Sequence, residues 1–161
     1  QAFNPFMIFV FTPVLTMIWG WQSRKGHEPN SIAKMGIGCL LVGAAYILMI
    51  LAAFVVPADQ RGSVMWLVGT VFVFTIGEIY LSPIGLSLVT KVAPKPLVGT
   101  MMGVWFLSSF FGNYLTGLIG MLYDTMSKTN YFAILFLMGT ITGVIFFVVR
   151  RPVERAIGKH V

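Results

Sequence analysis

The sequence predicts an all-α integral membrane protein with five transmembrane helices. Three observations carry that prediction. Apolar residues make up 57% of the 161-residue chain and charged residues only 10%, where an ordinary globular domain has about 25% charged residues. The mean hydropathy is +0.87. The apolar residues also fall into five runs, each reaching or nearly reaching the ~20 residues needed to cross a bilayer as a helix. Sixteen charged side chains cannot cover a soluble fold of this size. The composition excludes a disordered chain, a nucleic-acid-binding domain and most cytosolic enzymes.

The runs place spans at about residues 1–21, 32–56, 64–90, 98–122 and 131–149. A β-barrel would instead need alternating segments of ~10 residues, and these runs are too long and too uniformly apolar for that. Residues 1–149 therefore read as one transmembrane bundle and residues 150–161 as a basic tail. The opening QAFNPF has no Met and no basic n-region, so it does not read as a signal peptide. It suggests a fragment or a processed chain.

The net charge of +6 is distributed as a topology signal. The four connections and the tail carry Arg24, Lys25 and Lys34; Arg61; Lys91 and Lys95; Lys128; and Arg150, Arg151, Arg155 and Lys159. The first, third and last of these five segments hold nine basic residues against two in the others. The positive-inside rule then puts the start outside and the C-terminus in the cytoplasm. Trp19, Trp21, Trp66, Tyr123 and Tyr131 fall near span ends, as interfacial belts require. An odd number of spans starting outside reads as the last five helices of something larger, incomplete without upstream helices.

Few residues are costly in lipid. Glu78 lies almost at the midpoint of the third span, and an acid there costs roughly 2.5–3.5 kcal/mol on insertion scales. No basic residue lies at matching depth. Its partner is then a proton, a ligand or another part of the protein. It is a proton-coupling candidate, or else a protonated carboxyl bonded to a neighbouring helix. Pro83 removes the donor that the carbonyl of Ile79 would use, and Gly77 and Gly85 flank the same region. These three form a candidate gating hinge, although proline kinks are common in spanning helices. Glu78, Ser82 and Gly85 share one face.

The fourth span carries its own stripe, Trp105, Ser109, Gly112 and Thr116. That stripe reads as a pocket wall or as helix packing. Asn4 precedes Pro5, and its amide suits a polar ligand or a helix cap; spacing alone favours the cap. Gly99–Gly103 and Gly139–Gly143 match GxxxG and read as packing. Cys39, the single cysteine, reads as a packing residue. His27 and His160 have no carboxylate or cysteine at ligand spacing, so no metal site is expected. No cofactor or phosphate loop is implied, and no nucleophile cluster of an intramembrane enzyme is present.

The stretch GEIYLSPIGLSLVTKVAP at Gly77–Pro94, followed by MMGVWFLSSFFGN at Met101–Asn113, closely resembles the proton-dependent oligopeptide transporter family of the major facilitator superfamily. The opening QAFNP is similar to that family's eighth-helix motif. The resemblance covers the whole chain as helices eight to twelve of twelve. It implies a symporter that brings di- and tripeptides and protons across the cell membrane. Asn4 and Glu78 match positions that hold the peptide's amino terminus. Trp105 and Ser109 match cavity-lining positions, and Pro83 matches the bend that gates the cavity. The family's ExxER signature, its acidic residue on helix seven and most of its carboxylate-binding basic residues belong to helices upstream of residue 1. Relatives that carry nitrate, drugs or metabolites, and a structural membrane subunit, are the alternative readings.

Overall fold

The computed structural model describes residues 3–26, 28–57 and 62–157. Within them the chain forms five helices: α1 (Phe3–Arg24), α2 (Ser31–Val55), α3 (Val64–Val92), α4 (Val98–Gly120) and α5 (Lys128–Ile157), with short 3-10 turns at Lys95–Leu97 and Met121–Asp124. Four of them, α1, α2, α3 and α5, are long and apolar enough to cross a membrane. The exception is α4, where Ser108, Ser109, Asn113, Thr116 and several glycines dilute its apolar residues. Arg61, His27, His160 and Lys159 lie outside the described residues.

The helix ends follow local chemistry. The Asn30 side chain caps α2 by accepting a bond from the Ala33 backbone N–H at 2.9 Å, which satisfies one of the orphan donors of a helix start. Gly26, with φ of 68°, makes the left-handed turn between α1 and α2. α5 runs on to Ile157, past the end at Val149 that apolarity alone suggests. Glu154 explains the extension. It accepts a bond from Arg150 Nε at 2.6 Å, one turn back, and another from the Asn30 amide. The basic stretch beginning at Arg150 is thus helical as far as Ile157.

α2 is the centre of the bundle and packs along both α3 and α5. Glycines make both seams. On one side Gly38 and Gly77 face each other, and a Cβ at either would stand 2.8 Å from the other's carbonyl oxygen. On the other side Gly36 and Gly43 meet Gly139, Gly143 and the side chains of Phe146 and Phe147. In a membrane, where lipid tails are as apolar as leucine, such close backbone approach supplies the dispersion contacts that hold helices together. The Gly139–Gly143 pair does pack as expected. The Gly99–Gly103 pair differs, because a Cβ at either glycine would meet nothing within 4 Å. Cys39 is buried in the same core.

α1 leans on α3 through edge-to-face pairs, Phe11 on Phe72 at 5.1 Å and Trp19 on Tyr80 at 5.0 Å. α4 touches α3 and has no buried residue. A cavity of about 350 Å³, bounded by Cys39, Tyr46, Thr116, Tyr131 and Thr142 among others, separates α4 from the α2–α5 slab. The outward surfaces are strongly apolar; Phe9, Met17, Phe54 and Val148 are among the most exposed side chains.

The two ends of the bundle differ. One gathers the end of α1, the α1–α2 loop, the start of α2 and the C-terminal part of α3 around a polar cavity of about 520 Å³ lined by Trp19, Glu28, Lys34, Pro83, Ser87 and Lys91, among others. Lys34 is buried, paired with Glu28, and sits 4.7 Å over the Trp19 ring. The hydrogen bond from Lys34 holds the Glu28 carboxyl below its ordinary value, against the opposing effect of burial and with help from Ser23 and the charge of Lys91. Trp19 therefore packs inward, unlike Trp21, which is exposed with Lys25 over its ring at 3.8 Å. At the other end Trp66, Tyr123 and Phe132 line a cavity of about 580 Å³, and Tyr123 meets Tyr131 edge to face at 5.1 Å.

Candidate functional site

Glu78 is the central residue of α3, with fourteen helical residues on either side. An ionisable group there has no water to solvate it unless the structure provides a polar partner or an opening. The partner is Asn4. Its Nδ2 donates to Glu78 Oε2 at 2.8 Å. Asn4 lies inside α1, whose described part begins at Phe3, so its amide does not cap the helix as spacing favours. It reaches sideways across the α1–α3 contact instead. Burial decides this: an amide that can satisfy a mid-membrane carboxyl is worth more there than at a helix end, where water caps it.

A third residue completes the cluster. Thr75 Oγ1 donates to Asn4 Oδ1 at 2.6 Å and lies 2.7 Å from the Val71 carbonyl. Thr75 is fully buried, whereas Asn4 and Glu78 are half-buried. Among the described residues Glu78 Oε1 accepts no hydrogen bond. The arrangement is thus a carboxyl with one oxygen held by Asn4 and the other without a hydrogen-bond donor among the described residues. Such a group can bind a proton or accept from an ammonium. Sequence reasoning missed Thr75. Its signal is the spacing, since position i−3 on a helix shares a face with Glu78.

The other expected site residues lie elsewhere on α3 and α4. Gly85 is seven residues along from Glu78, about 10 Å at 1.5 Å per residue. The Trp105 ring lies directly on it: a Cβ at Gly85 would come within 2.2 Å of Trp105 Cη2. Gly77 is buried in the crossing with α2. Pro83 lies inside α3, which stays helical through it, and lines the polar cavity at the basic end. Ser109 is exposed. Its Oγ stands 3.5 Å from the Trp105 carbonyl, to which Ser108 Oγ donates at 2.7 Å. The structure thus joins Asn4 to Glu78 and Gly85 to Trp105, while Ser109 reaches only the Trp105 backbone carbonyl one turn back on its own helix. Among the described residues no group of His, Cys, Asp and Glu could hold a metal ion.

Comparison with known proteins decides the family. The profile described as PTR2, the POT family, matches residues 1–140. The chain belongs to the POT family. A di-/tripeptide transporter of Lactococcus lactis subsp. cremoris is 32% identical over 158 residues, covering 98% of this chain and 31% of that protein. The peptide transporter YePEPT of Yersinia enterocolitica is 39% identical over 122 residues, covering 74% of this chain and 24% of that protein. Among solved structures, a POT family transporter in complex with a thioalcohol-conjugated peptide superposes with a TM-score of 0.82 at 34% identity, covering 92% of this chain and 30% of that one. The chain thus spans about a third of the length of the relatives it matches. Its helices carry part of the major facilitator fold, and the relatives named here are transporters rather than enzymes.

Proposed function

We propose that this chain supplies helices eight to twelve of a twelve-helix, proton-coupled symporter of di- and tripeptides in the cell membrane. The observation that carries the reading is the Asn4–Glu78 pair at the centre of α3, which engages Glu78 Oε2 and leaves Oε1 without a donor among the described residues. A peptide offers an ammonium at one end, and an ammonium needs a carboxylate acceptor. The relatives' names support the substrate class.

In this reading the peptide ammonium and a proton both act on Glu78. Two halves of the transporter rock about a site near the midplane. Coupling arises when each ligand binds the outward- and inward-facing states with different affinity. Asn4 holds one carboxylate oxygen, and its own Oδ1, already engaged by Thr75, keeps one lone pair for the ammonium. Trp105 and Ser109 on α4 line the cavity, and Gly77, Pro83 and Gly85 let α3 bend. The basic end, with Arg24, Lys34, Lys91 and Arg150, faces the cytoplasm by the positive-inside rule, which places the C-terminus inside. The upstream helices provide the groups that hold the peptide carboxylate.

The test uses the full-length transporter in liposomes. Uptake of labelled dialanine is recorded with and without an inward proton gradient, beside Glu78→Gln. Gradient-driven uptake that the variant loses is the expected result. A folded wild-type protein that takes up no dialanine overturns the substrate class. Gradient-driven uptake retained in Glu78→Gln overturns the role of Glu78.

A further inference from the structure

We propose that the polar cavity at the basic end binds the phosphate headgroup of an anionic phospholipid. This is a second ligand at a second place, and it stands whether or not the protein carries peptides.

The cavity is built by α1, α2, α3 and the loop between the first two. Its volume of about 520 Å³ is that of a small-molecule site, about 300–1,000 Å³. On α3 it is lined by Pro83, Ser87 and Lys91. Ser87 is nine residues from Glu78, about two and a half helical turns, and so lies on the opposite side of the helix. The cavity is therefore behind α3, away from the Asn4–Glu78 pair. It is also at headgroup depth, because each helix reaches it with an end. Lys91 is in the last turn of α3, Ser31 opens α2, and Trp19 lies five residues before the end of α1.

The lining favours an anion. Ser31 and Lys34 belong to the first turn of α2, where the backbone N–H groups and the helix dipole attract negative charge. Ser87 adds a hydroxyl and Lys91 an ammonium. Glu28 is the one acid in the wall. It pairs with Lys34, and the charge of Lys91 reaches it as well. Two cations thus converge on one carboxylate, and one positive charge is left uncompensated. Lys91 is exposed and has no ion-pair partner among the described residues. Beside Trp19, α1 exposes Met17 and Ile18, apolar surface on which acyl chains can lie. A basic pocket between spanning helices, polar inside and apolar beside its rim, is the form that recognises anionic headgroups.

The experiment titrates the full-length transporter in detergent with dioctanoyl phosphatidylglycerol, dioctanoyl phosphatidylcholine and glycerol phosphate, and reads bound ligand by native mass spectrometry. Lys91→Gln and Lys95→Gln remove the same charge near the same end of α3, but Lys95 does not line the cavity. The expected result is saturable binding of phosphatidylglycerol, about tenfold tighter than phosphatidylcholine. Lys91→Gln weakens it about tenfold, the worth of one charge-assisted hydrogen bond, while Lys91→Arg and Lys95→Gln leave it unchanged. Glu28→Gln tightens it, because the competing carboxylate is gone and Lys34 is left for the phosphate. Equal binding of the two lipids, or equal loss in Lys91→Gln and Lys95→Gln, overturns the site. Loss in Lys91→Arg as deep as in Lys91→Gln does the same, since charge is then not what binds. Glycerol phosphate binding as tightly as phosphatidylglycerol overturns the lipid as the source of the phosphate.

Discussion

Replacing Gly77 with alanine tests the seam that holds α2 against α3. The new Cβ would stand 2.8 Å from the Gly38 carbonyl oxygen, 2.8 Å from Val42 Cγ2 and 2.9 Å from the Val42 nitrogen, where ordinary contact begins at 3.4 Å. Two of these three neighbours are backbone, so relief comes only from moving the helices apart by about 0.6 Å. Overpacking of this kind costs ~1–3 kcal/mol, and the helix propensity of alanine returns ~1 kcal/mol. The expected net loss is up to about 2 kcal/mol. Gly69→Ala, on the same helix, is the control. Its Cβ meets only the flexible end of Leu48 at 3.5 Å, so the propensity gain is unopposed. The assay is thermal unfolding of the purified full-length transporter in detergent. Gly77→Ala should unfold several degrees below wild type and Gly69→Ala at or above it. Adding Gly38→Ala to Gly77→Ala should cost less than the sum of the two, because one separation relieves both clashes. Gly77→Ala unfolding at the temperature of Gly69→Ala would refute the reasoning.

Two further outcomes follow from contacts described above. Gly85→Ala drives a Cβ to 2.2 Å from Trp105 Cη2, so the ring must leave its seat; tryptophan fluorescence should shift, thermal stability should fall, and Trp105→Leu should restore most of that loss. Fluorescence and stability at wild-type values would show that the seat is empty. Glu28 contributes stability as an anion, because its folded-state pKa lies below its unfolded one. The stability difference between wild type and Glu28→Gln should therefore be present above about pH 4.5 and vanish as pH falls through the lowered value, read by unfolding across a pH series; a difference that grows on acidification would contradict the pairing with Lys34.

Four of the five helices were legible because a bilayer demands long apolar stretches, and α4 was read as a fifth from a run that its serines, Asn113, Thr116 and glycines leave less apolar. The end of α5 was not legible, because it depends on Glu154 meeting Asn30 across the bundle, a contact 124 residues apart in sequence. The same distinction governs the site. Glu78 stands out in any reading, since a lone acid at mid-membrane is expensive wherever it points. Its partner does not, because Asn4 looks like a helix cap until α1 is laid beside α3. Thr75 is quieter still: threonine is ordinary in a spanning helix, and only the bond to Asn4 distinguishes it. Glycines divide likewise. Gly139 and Gly143 announce themselves by spacing, but Gly38 and Gly77 belong to different helices and share no motif.

The unequal grip on α4 has a mechanical consequence. α2 is clamped backbone to backbone against α3 at Gly38–Gly77 and against α5 at Gly43–Gly139, so at that level the three form a plate, beyond which α3 continues through Pro83 to Gly85. α4 rests on that plate through α3, with the Trp105 ring set into the notch left by Gly85. A large ring in a small notch is a ball in a socket. It permits rocking while resisting sliding, so a tilt of α4 would be delivered to α3 seven residues from Glu78. The bundle would then behave less like a single wedge than like a plank carrying one lever, with its fulcrum at Gly85.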